Sequence, residues 1–131
     1  MSFDIFITRY QGGEAHSFPR IILENAFGGF TDRSDPTSWR MSDSYAVIYV
    51  DDADEVDGFG VNRPPYNEHP FWPALVDVLR QTGSALYWGI GRFVVADQAV
   101  IADLPPDMIK TLGPPMVTTS VSEILGLMVG H

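Results

Sequence analysis

Asp51–Gly58 (DDADEVDG) packs five carboxylates into seven residues, more ionisable groups than any other stretch of this 131-residue chain. Crowded carboxylates repel one another, and a hard cation relieves the repulsion, so calcium is the first chemistry to test. An EF-hand loop takes oxygen donors at its first, third and fifth positions, glycine at the sixth and glutamate at the twelfth. Counting from Asp52, the third position is Asp54, but the fifth is Val56, the sixth Asp57 and the twelfth Arg63. The pattern fails at three defining places, and no metal site is expected. Asp51, Asp52, Asp54 and Asp57 read as a solvated turn between strands, with a looser hard-cation site as the alternative.

A second cluster follows in Asn62–His69 (NRPPYNEH), a proline-interrupted loop leading into a helical pattern. Arg63, Tyr66 and His69 are its candidate binding residues. An arginine and a histidine brought to a helix N-terminus can hold an anion and move a proton. The competing reading is that His69-Pro70 simply starts the helix. Trp72 lies just beyond and would close a pocket with them, or belong to the core. The other histidines, His16 and His131, have no HxH or HExxH partner. There is no GxSxG nucleophile elbow, and Gly58-Phe59-Gly60 and Gly89-Ile90-Gly91 lack the third glycine of a dinucleotide loop. No cofactor and no catalytic residue is expected, and an enzyme is the least supported class.

The elements that must carry these residues are organised around Glu68–Gly113. Phe71, Leu75 and Leu79 form one helical stripe, flanked by Trp72, Val76 and Val78, and Gly83 supplies the stop. Ala85–Trp88, Phe93–Ala96 and Ala99–Ala102 then read as a three-stranded meander packed on that helix. Earlier, Phe3–Tyr10 alternates as a strand with apolar residues on both faces, which suggests a central position covered on both sides. Ser17-Phe18-Pro19 reads as a helix start, Phe30–Thr37 as a variable connection, and Trp39–Ser42 and Tyr45–Val50 as strands. Phe59–Val61 reads as a short strand, and Met116–Thr118 as an edge strand. A short helix follows Pro105-Pro106, and Ser120 with Glu123 matches a capping box for the last helix. The expected fold is α+β in a single domain over residues 1–131, a mainly antiparallel sheet of about five to seven strands with three or four helices. Leu75, Leu79, Phe93, Val95, Val100 and Ile5 form its predicted core.

Seventeen acidic against eight basic residues leave a formal charge of −9. Seven scattered arginines and one lysine cannot neutralise a phosphate backbone, so nucleic acid is not an expected partner, and an anionic membrane is disfavoured for the same reason. A basic protein partner fits the charge. From Asp43 to Asp57 there are six carboxylates and no lysine or arginine. The absence of cysteine excludes disulfides and thiol chemistry, and together with the lack of a leader or membrane span it points to a bacterial-style cytoplasmic protein.

The opening MSFDIFITRYQGGE, the later FPR, the FWPALVDVLRQTGSALYW run and VVADQAVIADLPPDMIKTLG together resemble a group of small bacterial proteins of unassigned function. That resemblance spans most of the chain and implies one intact domain, with no activity to carry over. The small, acidic, single-domain character is also similar to that of many immunity proteins of bacterial toxin systems. Two functional readings lead: an acidic, immunity- or antitoxin-like protein-interaction module, and a small-molecule-binding domain with a pocket near Arg63, Tyr66, His69 and Trp72.

Overall fold

Alternation along Asp4–Gln11 makes β1 the spine of the sheet, its Ile5 and Ile7 buried and Asp4 and Phe6 turned outward. The computed structural model describes residues 4–65, 68–88 and 92–129. After β1 the chain forms β2 (Glu14–Ala15), β3 (Phe18–Pro19), α1 (Ile21–Phe27), β4 (Thr31–Asp35), β5 (Ser38–Met41) and β6 (Val47–Tyr49). It continues through β7 (Glu55–Val56), β8 (Gly58–Asn62), α2 (Phe71–Thr82), β9 (Ser84–Trp88) and β10 (Arg92–Val95). A 3-10 turn at Gln98–Asp103, α3 (Pro106–Leu112), β11 (Met116–Val117) and α4 (Val121–Val129) complete it.

Among the described residues nine strands share one sheet, in the order β11-β10-β9-β1-β8-β6-β5-β4, with β2 paired to β1. Every pair is antiparallel except β10–β11. Seven of the nine run three residues or longer, so the fold is the expected α+β. Two-residue strands and a separate β3–β7 pair are too short to carry a periodic signal.

The inner face of the sheet and the helices share the main core. Ile5, Ile7, Trp39, Ile48, Phe59, Val61, Leu86 and Trp88 meet α1 through Leu23 and Phe27, α2 through Phe71, Leu75 and Leu79, and α4 through Ile124 and Met128. Helix α2 ends as its sequence predicts: Gly83 takes φ 67°, and its N–H reaches the Leu79 carbonyl. A second, smaller core lies on the outer side of β9 and β10, where Ala85, Phe93 and Val95 pack under Val100 and Leu104 of the 3-10 segment and its end, and under α3. All six predicted core residues are buried. Among the described residues no helix is long and apolar enough to cross a membrane.

Four expectations need correction. Ala99–Ala102 is not a strand: the Asp97 carboxylate accepts from the Ala99 N–H and turns the chain into the 3-10 segment. Ser17 does not cap α1, because Phe18–Pro19 pairs with Glu55–Val56 and the helix begins after Arg20. Phe30–Thr37 contains the edge strand β4, whose polar sequence hides it from any hydrophobic pattern. Strand β1 is central but covered on one side only near Phe6, which stays 44% exposed. The hairpin expected at Gly89–Gly91 lies outside the described residues.

The capping box at α4 is half formed. The Glu123 N–H donates to Ser120 Oγ at 3.2 Å, while the Glu123 carboxylate accepts from Thr118 Oγ1 at 2.7 Å instead of from Ser120. Thr118 Oγ1 in turn accepts from the Ser120 N–H, so one threonine relays the second half of the motif.

Candidate functional site

The acidic segment joins β6 to β8 and is pinned by its backbone. The Asp54 carbonyl accepts from the Arg20 N–H at 2.8 Å and the Asp57 carbonyl from the Arg9 N–H at 2.9 Å. Between them Val56 is buried against Phe18 through the β3–β7 pair. With the backbone tied inward, Asp51, Asp52, Asp54, Glu55 and Asp57 are all exposed. Among the described residues no three carboxylates or imidazoles converge closely enough to hold a metal ion.

Nearby cations are engaged elsewhere. Arg20 and Arg33 both reach Glu24, at 3.6 and 3.4 Å, and both lie over the Trp39 ring. Arg9 donates to the Ser17 carbonyl. Arg40 is electrostatically coupled to Asp32 and Asp35, whose carboxyls are held below their ordinary range, first by the hydrogen bonds each accepts from Ser34 or Thr37. The acidic segment therefore projects a charge that these four arginines do not neutralise.

Arg63 and His69 belong to the other end of β8. Five residues of strand separate Asp57 from Arg63, roughly 17 Å of extended chain, and the two candidate clusters do not meet. Arg63 is exposed and adopts φ 54°, a left-handed conformation that strains a residue with a Cβ. His69 Nδ1 accepts from the Phe71 N–H at 3.0 Å, and Nε2 lies 3.1 Å from the Ser42 carbonyl. These two bonds assign the neutral tautomer with the proton on Nε2, and they make His69 the side chain that ties off the start of α2. The Phe30 ring meets it edge-on, with centroids 5.5 Å apart. Trp72 is in the core, its Nε1–H donating to the Pro65 carbonyl at 2.9 Å. Tyr66 lies outside the described residues. What remains of the expected pocket is an open hollow of about 430 Å³ lined by Glu68, His69, Pro70, Pro73 and Val121.

The feature missed by sequence reasoning is the outer face of the sheet. Tyr10, Tyr45, Tyr49 and Tyr87, four of the five tyrosines, lie on this side with Phe6, whereas all three tryptophans are buried on the inner side. Tyr49 is 49% exposed and Tyr45, in the β5–β6 turn, 88%. Across the strands Tyr49 pairs with Gly60, Gly60 with Phe6, and Phe6 with Tyr87, so the aromatics form one row. The Phe6 and Tyr87 rings stack with centroids 5.7 Å apart, and Thr8 Oγ1 is 3.1 Å from the Tyr87 hydroxyl. Beside them the Tyr10 hydroxyl is pushed up from its ordinary pKa, mainly by burial and then by Tyr87.

Two hollows open on this face and share Tyr49. One, of about 370 Å³, is lined by Thr37, Asp51, Asp52 and Gly58 among others; the second, of about 330 Å³, by Asp35, Arg40 and Tyr45. A signal existed in the sequence. In YAVIYV the tyrosines fall at positions of one parity, while Ala46, Ile48 and Val50, of the other parity, are buried. No family model matches the chain, and neither a curated protein nor a solved structure shows significant similarity to it.

Proposed function

We propose that this protein is a non-enzymatic interaction module, of the immunity or antitoxin type, that uses its acidic surface to attract a basic partner protein. The observation that carries this reading is the Asp51–Asp57 segment, whose five carboxylates are all exposed on a backbone pinned at Asp54 and Asp57. Mutual repulsion of such groups is unfavourable in the free protein and is relieved when a cationic surface approaches. Charge of this kind acts chiefly on the encounter rate and is screened over about 8 Å at physiological ionic strength. Pull-downs from the source cell at low and high salt test it, with wild type and a variant carrying Asp→Asn at residues 51, 52, 54 and 57. A specific partner retained by wild type and lost by the variant or at high salt supports the module. Identical partners for both proteins at either salt reduce the acidic segment to a solubility feature.

A second reading, a small-molecule-binding domain, draws on the apolar hollow beside His69. Its volume is within the range of ligand sites, about 300–1,000 Å³. A ligand screen read by the melting temperature, with Val121→Arg to fill the hollow, separates this reading from the first.

A further inference from the structure

We infer that the outer sheet face bearing Phe6, Tyr45 and Tyr49 is where an arginine-rich segment of a partner protein docks. This step rests on the reading of the chain as a module for basic partners. The face is unusual in its exposure. Phe6, Tyr45 and Tyr49 are 44%, 88% and 49% exposed, and among the described residues they account for three of the five large hydrophobic side chains left most open. Outward tyrosines on a strand follow from its alternation, since the hydroxyl reaches water. Tyr45 shares that parity but stands further out, in the turn before β6, where no neighbouring strand flanks it. Tyrosine offers a rigid, amphipathic contact surface at small entropic cost, which is why it concentrates at protein interfaces.

Charge selects the occupant. Asp51 and Asp52 line the hollow against the Tyr49 side, Asp35 lines the next one, and Asp4 and Asp32 lie on the outer face of β1 and β4. The one described cation on this part of the face is Arg40, and it already faces Asp32 and Asp35. A guanidinium fits these surroundings better than an ammonium: its plane stacks on a tyrosine ring while its fork pairs with a carboxylate. Gly58 leaves the floor of the first hollow bare. A Cβ there would lie 2.2 Å from the Ile7 carbonyl oxygen, so no other residue can stand in its place without displacing the strand. A second copy of this chain is a poor occupant, since it would set carboxylates against carboxylates.

The test titrates the isotope-labelled protein with a short peptide of alternating arginine and glycine, followed by amide NMR. The same peptide with citrulline for arginine keeps the shape and removes the charge. Expected are saturable shifts at Tyr49, Asp51, Gly58 and Gly60 with the arginine peptide and none with citrulline. Tyr49→Ala should weaken binding about fivefold and Tyr45→Ala, at the more exposed position, about twofold. Shifts confined to Asp54–Asp57 and indifferent to both tyrosine changes overturn the docking face and leave the acidic module standing. The absence of any charge-dependent shift overturns both readings. Shifts of Tyr49 and Gly60 that depend on protein concentration without peptide assign the face to a second copy of the chain and overturn the basic occupant.

Discussion

Strand β8 carries two glycines, two residues apart on the same face, with opposite expected responses to alanine. At Gly58 an added Cβ would lie 2.2 Å from the Ile7 carbonyl oxygen and 3.1 Å from Thr8 Cα, both backbone atoms of β1. Carbon and oxygen in such contacts normally stand about 3.3–3.6 Å apart, so the two central strands must separate by about 1 Å. Overpacking of that kind costs about 1–3 kcal/mol, and a weakened ladder bond adds about 1 kcal/mol. The reduced freedom of the unfolded chain returns about 0.4–1 kcal/mol. The net expectation is a loss of about 2 kcal/mol, which for a domain of this size lowers Tm by roughly 6–10 °C. At Gly60 the nearest atom to an added Cβ is Phe6 Cδ1 at 3.6 Å, an ordinary contact. Gly60→Ala keeps only the unfolded-state gain and should raise Tm by roughly 2–4 °C. Thermal and urea denaturation of both variants, followed by circular dichroism, is the assay. Equal stability of the two variants would refute the close approach of β1 and β8 on which the sheet order depends.

Leu79→Ala should cost about 2–5 kcal/mol, because Leu79 is buried between α2 and the sheet; a loss below about half a kcal/mol in urea denaturation would mean that α2 does not carry the core. His69→Ala removes the acceptor for the Phe71 N–H and should lower stability by about 1–2 kcal/mol, while His69→Asn, which keeps an acceptor oxygen, should recover part of that. If the two variants melt together, His69 does not cap α2. Asp32 and Asp35 have carboxyls lowered from the ordinary 3.8 by their bonds to Ser34 and Thr37. Their contribution is therefore complete above the unfolded value and disappears as pH falls below 3.8 through the lowered folded values. Amide NMR should show Ser34 and Thr37 moving in that window, and invariance of both would contradict the two Asx bonds.

Long-period apolar patterns were readable from the sequence: Phe71, Leu75 and Leu79 in α2, the alternation of β1, and the dense β-formers of β6 all appear where their spacing demands. Segments whose structure depends on a distant partner were not. Phe18–Pro19 is a strand only because Glu55–Val56 lies beside it, and polar β4 is one only because β5 offers an edge. Ala99–Ala102 misleads because its apolar residues are held by one carboxylate, that of Asp97, in a 3-10 turn. The candidate residues divide in the same way. Exposure of the acidic run follows from its composition. The role of His69 depends on the Ser42 carbonyl, which no local spacing encodes. The tyrosine face needed four strands in register before it existed.

The position of β1 has a consequence for how the molecule is made. Beyond the short local pairing with β2, its two main partners, β8 and β9, are contributed by residues far along the chain, Ile5 meeting Val61 and Phe6 meeting Tyr87. During synthesis the β-prone FDIFITRY segment emerges before either of them and has no sheet partner on β8 until the chain has passed Asn62, nor on β9 until it has passed Trp88. Closure of such distant pairs is slow relative to local helix formation, and an unpaired apolar strand is the kind of surface that aggregates or recruits chaperones meanwhile. The acidic run is translated just before β8, so the growing chain acquires much of its negative charge while β1 is still waiting, and mutual repulsion between nascent copies then opposes their association.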